Sequence, residues 1–369
     1  MYCHYVPQVY QRSWKNIAKN NDEVYLFKKE KGFRYPKPIK IENNFQESNY
    51  YILKLFSLTD ERFNYLEFFK KDIEQYYIEK LSIYDIFLDG CKISDFLSFF
   101  KQLHSFDSLE FWKDGLKQST RKLKNNIETW WDKNISKIIE RFFSCGIENK
   151  WNKVLNSIID LTTSQTISNQ CLDDLSEFMA IQSSRDIREK NLRDALLQSF
   201  EIIEIVLDEI FNKIPEAKEK LYSDDFAREV WLNQLLIHIK NPAKDNVIGT
   251  LKKNYSSCLF FFIKANRVKF ITTNYPVQRL KLKDNNTIIM TLNKEYCVML
   301  AKNPSQRYKR YQVCNASDNI VKYINYILSQ GATSLINDYN YYEKSQSLPQ
   351  KDFEIMFNRA GYLNIFKGQ

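Results

Sequence analysis

Apolar residues recur at three- and four-residue spacing through Phe63, Leu66, Phe69, Ile73, Tyr76 and Tyr77, the stripe of an amphipathic helix. Thr59-Asp60-Glu61 ahead of them supplies a cap and first-turn acids. The same period predicts helices over Ser94–Leu103, Leu109–Phe143, Trp151–Leu161 and Leu172–Ile214, the last stopped by Pro215. A further helix is expected over Asp224–Ile239, capped by Ser223 or Asp224 and ended by Asn241-Pro242. Residues from about Thr59 to Asn241 therefore read as a helical body.

Towards both ends the period shortens to that of strands. Glu23–Phe27 and Ile39–Ile41 are strand candidates on either side of Lys31-Gly32 and the Pro36/Pro38 pair. Beyond Ser257, Leu259–Ile263 and Val268–Thr272 are expected to form one hairpin, and Thr287–Leu292 with Tyr296–Leu300 a second. Ser317 caps a helix to about Ser329, closed by Gln330-Gly331, and a short helix is expected over Lys351–Arg359. The strands at each end are too few for two independent sheets. The expected fold is α+β and predominantly helical, one small antiparallel sheet being shared between the chain ends. Its parts are N-terminal strands over 1–52, a helical body over 53–245, and C-terminal hairpins and helices over 246–369. Such a sheet would bring His4 towards the turn at Thr272–Asn274.

Composition supports a folded, helix-rich chain: 44% of residues are apolar, and Gly and Pro number only 8 each. The 7 scattered cysteines contain no CxxC pair, and the 3 histidines form no metal-ligand spacing. Reduced thiols, no structural zinc, no cofactor, no membrane span and a cytoplasmic location are expected. The net charge of +9 equals the balance of one segment, Lys264–Arg310. Its Lys264, Arg267, Lys269, Arg279, Lys281 and Lys283 are candidates for contact with nucleic acid or a nucleotide. The other reading is a solvated strand edge, where lysines discourage pairing.

Three places carry candidate chemistry. His4, held off a helix by Pro7, lies near Tyr10 and has the imidazole of a general acid or base. On the helix around Phe178–Arg188, Gln182 and Arg185 share a face, with Arg188 close behind. The arginine fork suits phosphate, and the alternative is a surface pair of Arg185 with Glu189. The third is Phe270–Val277, where a strand end delivers Thr272, Thr273 and Asn274 into a turn fixed by Pro276. A turn closed by its own side chains is the other reading there.

At these places the sequence resembles domain-of-unknown-function family 4238, a mainly bacterial family. Its opening H-Y-V-P-x-x-Y-L-x-x-F is similar to His4-Tyr5-Val6-Pro7-Gln8-Val9-Tyr10-Gln11-Arg12-Ser13-Trp14, with Gln11 and Trp14 departing from Leu and Phe. Its A-x-Q-x-x-R resembles Ala180–Arg185, and its I-T-S-D-x-P-V resembles Ile271–Val277, with Asn274 where an Asp is usual. A neutral Asn274 positions groups but does not bind a divalent metal strongly. The expected function is a phosphate- or nucleic-acid-directed enzyme, by analogy a defence or toxin-type effector. His4, Gln182, Arg185 and Asn274 would form its polar pocket, and Thr272, Thr273, Tyr10 and Arg188 would contact substrate. The alternative is a non-catalytic nucleic-acid or protein interaction module built on the basic segment. The oligomeric state is left open.

Overall fold

The structure, a computed structural model, describes residues 2–4, 6–15, 22–28, 37–44, 46–48, 55, 66–143, 146, 148–160, 166–185, 232, 235–238, 246–282, 285–301, 310–330 and 334–337. In chain order these give β1 (Tyr2–His4), α1 (Gln8–Gln11), β2 (Glu23–Lys28), β3 (Lys37–Lys40), β4 (Gln46–Ser48) and α2 (Lys70–Tyr76). There follow β5 (Asp85–Leu88), β6 (Cys91–Ile93), α3 (Phe96–Lys101), β7 (Glu110–Lys113), β8 (Leu116–Gln118) and α4 (Thr120–Phe142). Next come α5 (Trp151–Ile159), α6 (Asn169–Arg185), α7 (Val247–Ser256), β9 (Leu259–Lys264), β10 (Thr272–Thr273), β11 (Val277–Leu282) and β12 (Asn285–Thr291). The series ends with β13 (Tyr296–Ala301), β14 (Tyr311–Asn315), α8 (Asp318–Gln330) and β15 (Ser334–Asn337). The fold is mixed α+β. Of the helix expected from Thr59, the described part is helical through Leu66–Phe69 and α2, while its start, the helix over Lys351–Arg359 and most of that over Asp224–Ile239 lie outside the described residues.

The chain divides into two compact units. One comprises Met1–Cys3, Ser48–Arg141 and Phe200–Lys244, the other His4–Glu47, Phe142–Ser199 and Asp245–Gln369. In the first, α4 buries Trp131 edge-on against Phe69, at 5.0 Å between ring centroids. Its four-stranded sheet, ordered β6–β5–β7–β8, is made of two hairpins. Each turns on an Asp-Gly pair with both residues at positive φ, Asp89-Gly90 and Asp114-Gly115, the backbone of a tight hairpin turn. The expected single helix over Leu109–Phe143 is therefore corrected: a hairpin occupies 110–118 and the helix starts at Thr120.

The second unit holds two sheets. In β10–β15–β2–β3, two C-terminal strands join two N-terminal strands at the β15–β2 pair, with all neighbours antiparallel. This is the shared sheet expected from the sequence. It is not the only one, because a five-stranded sheet, β11–β12–β13–β9–β14, is built wholly from the C-terminal third. Among the described residues β1 pairs with β4 in a two-stranded ladder, and His4 is not part of the shared sheet.

Strand β9 explains the second sheet. Phe260, Phe261, Phe262 and Ile263 are all buried, so both faces are covered and the strand must be central. It pairs with β13 on one side and runs parallel to β14 on the other. The expected hairpin with Val268–Thr272 does not form. Instead the Ala265 and Phe270 N–H groups donate to the Glu295 and Lys294 carbonyls. Phe261, Ile263, Cys297 and Met299 line one face, over which α8 lays Ile320, Val321, Ile324 and Leu328. The β12–β13 hairpin is where expected, its turn closed by Asn293 Oδ1 accepting from the Glu295 and Tyr296 N–H groups.

Candidate functional site

Pro7 starts α1 in extended backbone and accepts the Gln11 N–H, which fixes the helix that aims Tyr10 inward. Tyr10 is fully buried. Its hydroxyl donates to the Thr291 carbonyl at 2.6 Å and pairs with Thr272 Oγ1 at 2.8 Å. Its ring lies 5.0 Å from Trp14, 5.4 Å from Trp151 and 6.1 Å from Phe178. Trp151 and Phe178 stack at 4.3 Å. One side chain thus touches α6, the start of β10 and the last residue of β12. The three segments singled out in the sequence converge on it.

Neighbouring polar groups complete this junction. Trp14 Nε1 donates to the Phe270 carbonyl at 3.1 Å. The buried Gln11 amide donates to the Val6 carbonyl at 2.8 Å, and its Oε1 accepts from Asn44 Nδ2 at 3.0 Å. Asn325 of α8 accepts the Ile271 N–H and donates to the Lys269 carbonyl, clamping the approach to β10. Burial raises the Tyr10 hydroxyl pKa above its ordinary value and keeps it protonated.

At the turn, Thr273 Oγ1 donates to the Tyr275 carbonyl at 2.7 Å and accepts the Tyr275 N–H at 3.1 Å. This is the self-closed turn anticipated beside the ligand-binding reading. Thr272, Thr273 and Asn274 are buried. On α6, which packs along α7 and against β11, Gln182 is only 4% exposed. Its Oε1 meets no hydrogen-bond partner, and neither does Trp151 Nε1. His4 is placed by the backbone of β1 and Arg185 by the last residue of α6. Arg188 and Lys283 lie outside the described residues.

Four cations of the basic segment have partners within the protein. Lys264 sits over the Tyr296 ring at 5.7 Å, Lys269 pairs with Glu295 at 3.1 Å, and Lys294 donates to the Lys15 carbonyl. Arg310 binds Asp173 at 2.9 Å and Asn169 at 3.1 Å. Arg267 is exposed, and Arg279 and Lys281 are placed by the backbone of β11. No group of three metal-ligating side chains occurs among the described residues. Nor is any helix among them long and apolar enough to cross a membrane.

Sequence reasoning missed Trp151, Thr291 and Asn44 as parts of the junction. Tyr10 and Thr291 are 281 residues apart, and no local pattern encodes such a contact.

Together these features define a mixed α+β protein in which distant segments meet at one buried aromatic and hydrogen-bonded junction. The chain belongs to the DUF4238 family, proteins of unknown function, whose family model matches residues 2–338. No curated protein and no solved structure matches it.

Proposed function

We propose that the protein is a cytosolic enzyme acting on a phosphate-bearing substrate, a nucleotide or nucleic acid, at the end of α6 beside the β10 turn. The observation that supports this reading is the convergence on Tyr10 of the three segments carrying His4, Gln182–Arg185 and Thr272–Asn274. A fold that joins residues 262 apart through a buried hydroxyl gives polar groups near that junction a rigid base. Arg185 holds the phosphate by its planar fork, His4 acts as acid or base, and Asn274 orients the attacking group. Lys264, Lys269, Lys294 and Arg310 of the basic segment have partners within the protein, and the reading is centred on α6.

The test is turnover and binding of wild type, His4→Ala and Arg185→Ala against RNA, DNA and nucleotides. Turnover of at least one substrate class is expected, falling about 100-fold or more in each variant with the melting temperature held. Unchanged turnover in both variants overturns the reading. So does salt-sensitive binding to nucleic acid that neither variant alters, which instead supports an interaction module on the basic segment.

A further inference from the structure

The two hairpins of the first unit are copies of one pattern. Asp85–Ser94 and Glu110–Ser119 align 25 positions apart without a gap. Both read acid, apolar, aromatic, any residue, Asp, Gly, any residue, Lys, any residue, Ser. The structure repeats with the sequence. Phe87 faces Lys92 as Trp112 faces Lys117, and the Asp-Gly turns share their positive φ angles. Lys92 pairs with Asp85 as Lys117 pairs with Glu110. Each copy leads into a helix with a side-chain cap, Asp95 for α3 and Ser119 for α4. β5 and β7 pair antiparallel about Ile86 and Phe111, so a local two-fold axis perpendicular to the sheet relates the copies.

Ile86 and Phe111 are buried, and alternation along the strands puts the two aromatics and the two ion pairs on the other face. That face is open: its four charged side chains are between 41% and 57% exposed, and Phe87 and Trp112 are each half-buried. Phe87 faces Glu110 and Trp112 faces Asp85, so the two rings are diagonal neighbours, roughly 7–8 Å apart at their bases. Each lysine is matched by a carboxylate of the same face, which leaves these six residues without net charge. A polyanion would have to take both lysines from Asp85 and Glu110, and a purely apolar partner would strand four charges.

We infer that this face binds a proline-rich segment of another protein in the polyproline II conformation, with a proline ring packed on each aromatic. Such segments dock on aromatic-lined surfaces. Proline brings no N–H that needs an acceptor, and its carbonyls accept from ammonium hydrogens that the ion pairs leave over. With three residues per turn and a rise of about 3.1 Å, prolines three apart lie about 9 Å from each other, near the spacing of the two rings. The helix presents rings and carbonyls alike from either end, which suits a face with two-fold symmetry. The inference is independent of the phosphate-directed reading.

The test titrates the full chain with end-capped decaproline, an end-capped Gly-Ser decapeptide and decauridylate, following affinity by calorimetry and location by backbone amide shifts. Decaproline is expected to shift amides of β5–β6 and β7–β8 and to bind at least about tenfold more tightly than the Gly-Ser peptide. Phe87→Ala and Trp112→Ala are each expected to weaken it about tenfold with the melting temperature held, the losses being similar because the two subsites are equivalent. Decaproline that does not bind, or that shifts amides elsewhere, overturns the inference. So does an affinity that neither variant changes. Decauridylate shifting the hairpin amides in place of decaproline marks a nucleic-acid platform and overturns it too. The wild-type titrations decide the matter even where a variant does not fold.

Discussion

Tyr10 shows how one residue's chemistry sets a property of the whole fold. Burial raises its pKa above the ordinary 10.0 and raises that of the fully buried Cys297 well above 9.0. Both groups are neutral when protonated, and the folded state holds the proton longer than the unfolded chain. Stability from these groups is therefore complete below pH 9 and is lost as pH rises past 9 and then 10 towards the folded values. Denaturant midpoints measured from pH 7 to 11 are expected to fall from about pH 9 upward. Tyr10→Phe is expected to lower stability by about 1–3 kcal/mol at neutral pH, by breaking the bonds to Thr291 and Thr272, yet to flatten the alkaline decline. An alkaline slope unchanged in that variant would show that other groups carry it. Residue-scale chemistry was partly legible. Gln11 and Trp14 depart from the family's usual Leu and Phe, and the structure supplies hydrogen-bond partners for both in Asn44 and the Phe270 carbonyl. Those partners lie 33 and 256 residues away, so the sequence marks the need for a bond without marking its other end.

At the scale of elements, periodicity found long helices well and paired strands poorly. The helix at Trp151 begins where apolar spacing puts it, and the one at Asp318 directly follows the expected cap Ser317. The β7–β8 hairpin was masked because Phe111, Trp112, Leu116 and Leu123 fit a helical stripe as well as a strand one. The decisive signal was Asp114-Gly115, a hairpin dipeptide inside the supposed helix. Its twin, Asp89-Gly90, joins β5 to β6 in the same way. Gly90 and Gly115 have φ of +77° and +75°, and a Cβ at either would meet nothing within 4 Å. Substitution there is a test of backbone strain without steric clash. Gly90→Ala and Gly115→Ala are each expected to cost about 1–2 kcal/mol in thermal or denaturant unfolding. Gly146→Ala serves as the control, since Gly146 has equal space and lies outside the left-handed region. It is expected to be neutral or slightly stabilising. Equal effects at all three positions would mean that the turns do not depend on left-handed backbone.

For the whole molecule, the consequential feature is a sheet that uses the two ends of the chain as neighbours. The sparse strands at each end foretold this, but the second sheet was hidden because β9 pairs with β13 and β14 and not with its sequence neighbour. In the shared sheet β15 is interior: Leu335 faces Thr273 on one side and Phe27 on the other, and Ile336 faces Thr272 and Leu26. β3 is an edge that already carries Pro38 opposite Tyr25, as edge strands tolerate. A proline in β15 removes a ladder donor and crowds a strand that has partners on both sides, whereas one at Lys40, two residues beyond Pro38, points its missing N–H the same way as Pro38. Leu335→Pro is therefore expected to cost about 3 kcal/mol or more, and Lys40→Pro much less. Amide exchange locates the damage. Protection at Phe27 and Thr272 is expected to fall together in Leu335→Pro, although 245 positions separate them, because β15 is the strand both pair with. Loss at Phe27 with full protection kept at Thr272 would show that β10 is held by the Tyr10 junction and α8 alone. The candidate site would then rest on that junction and not on the shared sheet.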